Sequence, residues 1–238
     1  MKNSFSLIET SIVLVVIGLL AATVTIANRV VKSAQSSAII RDISYYRAAI
    51  DSFKILYGSF PGDFANAYSL WGSLSGANSC TNNVVTTTAS GCNGNGNGYI
   101  DSSYTEDMRS WQHLELAGFI PGSYLGTAPS SSPVIGANVP AGAITGSAYH
   151  LDGFTIYSNT GSGLRLMNVN SVNNGIISPI IAYMIDNKID DGLASNGNIY
   201  TSVGANYSTG YCVSQNGSTY SYIMSDKNSS CRMWFYLK

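Results

Sequence analysis

The sequence predicts an α+β fold. A long N-terminal helix, apolar in its first half and amphipathic in its second, packs on an antiparallel β-sheet head. Three observations carry this. Phe5–Ala27 reads FSLIETSIVLVVIGLLAATVTIA, apolar or small apart from Glu9. Ile39, Ile43, Tyr46, Ile50 and Phe53 then recur at steps of three and four, one face of a helix. The second half of the chain holds β-rich runs separated by Gly/Asn/Ser turns.

The helix is expected from about Phe5 to Leu56. Gly58 and Pro61-Gly62 stop it. Some 20 apolar residues cross the ~30 Å hydrocarbon core of a bilayer, so residues 5–27 are long enough to span. The stretch is too long for the core of a secretory signal peptide, and no A-x-A-like cleavage site follows it. A carboxylate inside such a segment is costly without a partner, so Glu9 is a candidate functional residue. Arg41, Asp42, Arg47, Asp51 and Lys54 fill the outer faces of the second half. Gly18 is the weakest point of the first half, at about 1 kcal/mol against Ala.

Composition narrows the function. The 238 residues carry 12 Lys+Arg and 13 Asp+Glu, a net charge of −1. No basic surplus exists to neutralise phosphates, which argues against dedicated nucleic-acid binding. Charged residues are 11% of the chain, less than half the usual share. Only two histidines occur, His113 and His150, and no G-x-S-x-G, H-E-x-x-H or P-loop run is present. A membrane-anchored enzyme is therefore the weaker reading, and no catalytic residue is assigned.

Cys80, Cys92, Cys212 and Cys231 lack CxxC spacing and read as two disulfides of an oxidising compartment. Three connectivities are open. The local pairs, Cys80 with Cys92 and Cys212 with Cys231, close the shorter loops. Each bridge contributes roughly 3 kcal/mol on the chain-entropy estimate. Asn93, Asn95, Asn97, Tyr99 and Asp101 alternate oxygen donors with glycines, like the first part of an EF-hand calcium loop. The twelfth place is Tyr104 instead of Glu, so an Asn-Gly turn cluster is preferred and Ca2+ is the alternative.

The remaining elements follow in order. Ser103-Tyr-Thr-Glu106 fits a capping box, and Met108, Trp111 and Leu114 share a helical face that ends at Gly118. His113 on this helix reads as a surface or packing residue. Residues 120–147 read as a long loop. Tyr149–Ser158 and Leu164–Val169 read as strands joined through Asn159–Gly163. Ser178-Pro179 opens a helix with Ile180, Ile181, Met184, Ile185 and Ile189 on its apolar side, ending at a solvated Asp190-Asp191-Gly192. That acidic end is a second candidate calcium site. Ile199–Val203, Tyr211–Gln215, Thr219–Met224 and Arg232–Leu237 complete the strands.

The run Lys2-Asn-Ser4-Phe5-Ser-Leu-Ile-Glu9 resembles the prepilin cleavage motif of type IV pilins and type II secretion pseudopilins. Ser4 stands where that family usually has Gly. The GSFPGDF turn at Gly58–Phe64, WQHLELAGFIPGSY at Trp111–Tyr124 and DNKIDDG at Asp186–Gly192 resemble segments of proteobacterial prepilin-like proteins. The resemblance implies a leader at 1–4, an assembly and transmembrane half-helix at 5–27, an amphipathic half at 28–57 and a head at 58–238. It implies cleavage between Ser4 and Phe5 by a prepilin peptidase, and N-methylation of Phe5. It implies pairing of Glu9 with the Phe5 amine of a neighbouring subunit, in a homo-oligomeric filament or one shared with other pilins. The chain would sit in the bacterial inner membrane, on an assembly platform, before joining a periplasmic or surface filament. A C-terminal disulfide loop also looks like the exposed variable region of type IV pilins. Arg29 and Lys32 follow the apolar segment and only Lys2 precedes it, so a bare positive-inside count points the head the other way. The disulfide pattern and the leader motif outweigh that count.

Overall fold

The structure is a computed structural model and describes residues 6–72, 92–101, 106–126 and 133–238. Helix α1 (Leu7–Tyr57) is continuous over 51 residues, about 75 Å at 1.5 Å per residue. Short helix α2 (Ala67–Trp71) and helix α3 (Glu106–Leu116) follow. Strands β1 (Ser147–Ile156) and β2 (Asn159–Asn168) precede helix α4 (Pro179–Ile189). Strands β3 (Ile199–Val203), β4 (Val213–Asn216), β5 (Thr219–Tyr222) and β6 (Cys231–Tyr236) complete the head. The main sheet has order β1-β2-β6-β3 and is antiparallel throughout, with β4-β5 as a separate hairpin. The chain is therefore α+β.

The second half of α1 packs on this head because one stripe is apolar. Ile39, Ile43, Ile50 and Phe53 are fully buried, and Tyr46 packs edge-on to Trp111 and against Tyr149. Phe53 sits among the rings of Tyr57, Phe64, Trp71, His113 and Phe119. Arg47 donates to the Tyr236 carbonyl, and Lys54 to that of Lys238, tying the helix to the chain end. Gly58 ends the helix in the left-handed region (φ 71°), and its N–H donates to the Lys54 carbonyl. That geometry suits glycine.

His113 is a buried strut, so the packing reading holds and the surface one does not. The Gly62 N–H donates to its Nδ1 at 2.9 Å, and Nε2 lies 2.9 Å from the Cys92 carbonyl. The network places the proton on Nε2. The ring thereby clamps the turn after α1 to the chain at Cys92. The same turn receives Gly94, where a Cβ would stand 2.2 Å from the Gly62 carbonyl oxygen.

A second buried polar group binds α3 to the sheet. His150 Nε2 lies 3.2 Å from Asp107, and Arg165 pairs with Asp152 at 2.6 Å. Arg165 also reaches His150 Nδ1 at 3.3 Å. Cross-strand register makes this possible, because His150 stands opposite Arg165 and Arg165 opposite Trp234. Alternation then turns Tyr149, Leu151, Leu164 and Leu166 to the core.

The two histidines titrate in opposite directions. Burial pushes His113 down to about 4. Burial also lowers His150, but the carboxylates of Asp107 and Asp152 outweigh it and raise the net value. His113 therefore binds fewer protons folded than unfolded, and its contribution to stability is lost as pH falls from 6.5 towards 4. His150 contributes stability that is present below 6.5 and lost as pH rises through its raised value. NMR titration of the ring resonances is expected to place one histidine below 6.5 and the other above. Two titrations together near 6.5 would contradict this packing.

Several expectations are corrected. The β1–β2 turn is the pair Tyr157-Ser158, both with positive φ (51° and 67°), and Asn159–Gly163 belongs to strand β2. The glycines there serve close packing: a Cβ on Gly161 would meet the Tyr236 ring and one on Gly163 the Phe154 ring. The 120–147 stretch, by contrast, is a loop as expected among its described residues up to Ser147, with only the isolated bridges Ile135–Val139 and Ala141–Ala148. Strand β1 begins two residues before Tyr149, at Ser147. Helix α2 (Ala67–Trp71) is an element that the sequence reading did not anticipate. In α4, Ile189 is exposed, whereas Asp186 is buried and accepts from the Tyr222 hydroxyl at 2.6 Å. Ser103 and Tyr104 of the expected capping box lie outside the described residues.

Candidate functional site

The N-terminal half of α1 leaves the head as a bare apolar rod. From Leu7 to Val31 every described side chain is exposed, Leu7 by 88% and Leu14 by 70%. An 18-residue window reaches a mean hydropathy of 2.4 with no part buried. Burial begins at Ser36 and Ile39. A helix that is hydrophobic all round does not remain in water. This one is long and apolar enough to cross a membrane.

The rod also hides its polar groups. Thr10 Oγ1 donates to the Leu7 carbonyl at 3.0 Å, Ser11 to Ile8 at 2.8 Å and Thr23 to Leu20 at 2.8 Å. Each hydroxyl is satisfied within its own helix, as an apolar surrounding requires. Gly18 meets no other part of the chain at its Cβ position. Arg29 and Lys32 mark where charged residues return.

Glu9 has a local partner that the sequence reading missed. Its carboxylate accepts from the Ser6 backbone N–H at 2.8 Å, and the Ser6 hydroxyl accepts from Ile8 N–H at 3.3 Å. This is a capping box. Its signature, Ser6-x-x-Glu9, was present in the sequence. It holds the carboxylate at the positive end of the helix dipole. The remaining polar atoms of Glu9 stand at the tip of the rod. Ser4 and Phe5 lie outside the described residues.

The head contains the other candidate residues. Cys212 and Cys231 form a disulfide that ties the start of the β4–β5 hairpin to β6. Cys92 is also disulfide-bonded, and Cys80 lies outside the described residues. In the asparagine loop the amide oxygens are engaged locally. Asn93 Oδ1 accepts from Tyr68 N–H, Asn95 Oδ1 from Asn97 N–H, and Asn97 Oδ1 from Tyr99 N–H. Asp101 accepts from the amides of Asn95 and Asn97 at 3.2 and 3.4 Å. The loop is held from outside by Asp63, which accepts from Asn97 and Gly98 N–H. Glu106 likewise accepts from Asn95 and Asp101 N–H. Burial pushes Glu106 up to about 7. Tyr99 is exposed.

The acidic end of α4 brings oxygens of Asp186, Asp190 and Asp191 within 4.8 Å of one another. These oxygens accept from Gly192, Ile199 and Leu193 N–H. The trio thus closes the loop from α4 to β3, and burial pushes Asp186 up to about 6. No protein-family model matches this sequence, and no curated protein or solved structure is significantly similar to it.

Proposed function

We propose that the chain is a structural subunit of a type IV pilus-like or pseudopilus filament, polymerised through its N-terminal helix. The observation that carries this is the continuity of α1. One helix is at once the core of the head and a bare apolar rod of about 24 residues. A rod of that kind is soluble only in lipid or among copies of itself. Cleavage before Phe5 would leave an ammonium beside Glu9, and the next subunit's carboxylate would have a buried cation to pair with. A mispaired register would strand one charge, so the pair would fix the stagger between subunits. The chain would wait as a single-pass inner-membrane protein, head outward, and leave the bilayer on assembly.

A second reading keeps the same assembly but places the chain at the filament tip, in adhesion, secretion or DNA uptake. The size of the head, residues 58–238, favours it. Immunogold labelling of sheared surface filaments with an antibody to the head separates the two. Label along the whole filament is expected of a bulk subunit, and label at one end of a tip subunit. Label confined to the envelope, with none on filaments, would contradict both.

A further inference from the structure

The dipeptide Asn-Gly occurs six times, beginning at Asn93, Asn95, Asn97, Asn174, Asn196 and Asn216. In this dipeptide a backbone nitrogen can close on the preceding side-chain amide, because glycine has no Cβ to block the approach. Closure needs two free groups, the asparagine side chain and the glycine N–H. The fold occupies one or both at five of the six places. Gly94 N–H donates to the Phe64 carbonyl at 2.9 Å, Gly96 N–H to the Asp63 carbonyl at 3.1 Å and Gly98 N–H to the Asp63 carboxylate at 3.0 Å. Gly175 is buried, and its N–H donates to Asn206 Oδ1 at 2.8 Å. Asn196 is exposed, but its side-chain amide is tethered to Asp191 at 2.6 Å.

Asn216 differs on both counts. It stands opposite Thr219 at the tip of the β4–β5 hairpin, so Gly217 and Ser218 form the turn. All four residues are exposed. Gly217 has φ 63° and Ser218 has no positive φ, the type II′ pattern with glycine first. That turn gives the Gly217 N–H no partner in the ladder. Among the described residues, neither this N–H nor the Asn216 side chain makes a hydrogen bond. The hairpin is also a two-stranded sheet of its own, and no residue of β4 is buried. Such a ribbon opens locally at little cost, which supplies the backbone freedom that ring closure requires.

We propose that Asn216 is a site of self-modification, with water as the only co-reactant. The Gly217 nitrogen gives up its proton and bonds to the side-chain carbonyl carbon of Asn216. The bond from that carbon to the amide nitrogen breaks, and the nitrogen leaves as ammonia. The five-membered succinimide then takes up one water at either carbonyl. One opening gives aspartate, the other isoaspartate, in which the main chain runs through the side-chain carbon. Either product adds one negative charge to a chain whose net charge is −1. Isoaspartate also lengthens the main chain at the turn, between the paired Asn216 and Thr219. Strand β5 carries Tyr220, stacked on Tyr157 at 4.0 Å, and Tyr222, whose hydroxyl donates to the buried Asp186. A change at the tip thereby reaches the packing of the head. This inference does not rest on the filament reading.

The test ages the full chain in detergent micelles in a warm, mildly alkaline buffer. Peptide mass spectrometry then follows the conversion of amide to acid at each Asn-Gly pair. In the folded chain, Asn216 is expected to convert at least tenfold faster than Asn93, Asn95, Asn97, Asn174 and Asn196. Its product is expected to contain both isoaspartate and aspartate, since direct hydrolysis of the side chain gives aspartate alone. In denaturant the six rates are expected to draw together, which shows that the fold makes the selection. Gly217→Asp keeps a residue that tolerates positive φ but places a side chain beside the attacking nitrogen. It is expected to slow conversion of Asn216 at least tenfold. The proposal is overturned if Asn216 converts no faster than the other five, if its product lacks isoaspartate, or if a folded Gly217→Asp chain converts at the original rate.

Discussion

A Glu9→Ala chain is expected to be processed at Ser4 normally and to yield few or no filaments. Removing one partner from a buried ion pair costs about 3–5 kcal/mol, more than a hundredfold in association between subunits. The capping box adds a rival explanation, because Glu9 also accepts from Ser6 N–H. Loss of a cap costs only about 1 kcal/mol and frays the helix end. Glu9→Gln separates the two. Gln still closes the capping box but brings no charge to a neighbour's ammonium. If pairing sets assembly, Gln fails almost as badly as Ala. Filaments at the normal level from Glu9→Gln would show that capping is the whole role. Processing is read in the same cells from the mass of the envelope protein, which keeps failed cleavage apart from failed assembly.

Phe53→Ala is expected to destabilise the head by about 3–5 kcal/mol, since Phe53 is fully buried among five aromatic rings. For a head of this size that is a fall in Tm of roughly 6–20 °C. Ile55, two residues on, is 87% exposed. Ile55→Ala is expected to change stability by less than about 0.5 kcal/mol. Thermal melts of both chains in the same detergent check the pair. Equal losses would mean that the second half of α1 does not pack through the Ile39–Phe53 stripe. Because α1 carries both that stripe and the apolar rod, a loosened Phe53 would also detach the head from the rod that positions it.

The long helix was legible because both its signals are local. Twenty apolar residues and a 3.6-residue stripe need no knowledge of the rest of the chain. The same holds for α3, whose Met108, Trp111 and Leu114 are all buried. What could not be read depends on distant partners or on short pieces. The Asp107, His150, Asp152 and Arg165 group forms only through strand register and the docking of α3. Helix α2, at five residues, is shorter than the periodicity that would announce it. The Tyr157-Ser158 turn has positive φ at both residues without the Asn or Gly that marks such turns. Asp186 reads as surface in a helical pattern, and it is Tyr222, from a hairpin far along the chain, that makes its burial tolerable. In the candidate site the apolar rod and Glu9 were evident. The Ser-x-x-Glu spacing of the cap is visible in the sequence, but within an apolar run the carboxylate reads as a charge that needs a partner and not as an acceptor for a backbone N–H.

The most direct test of the filament account is the intact mass of the chain, taken from sheared surface material and from the cell envelope. The account predicts, in the sheared fraction, a chain that begins at Phe5, carries one added methyl group, and lacks the hydrogens lost in forming its disulfides. A surface fraction holding the chain with residues 1–4 still attached, or an envelope fraction holding all of the protein at full length, would contradict it.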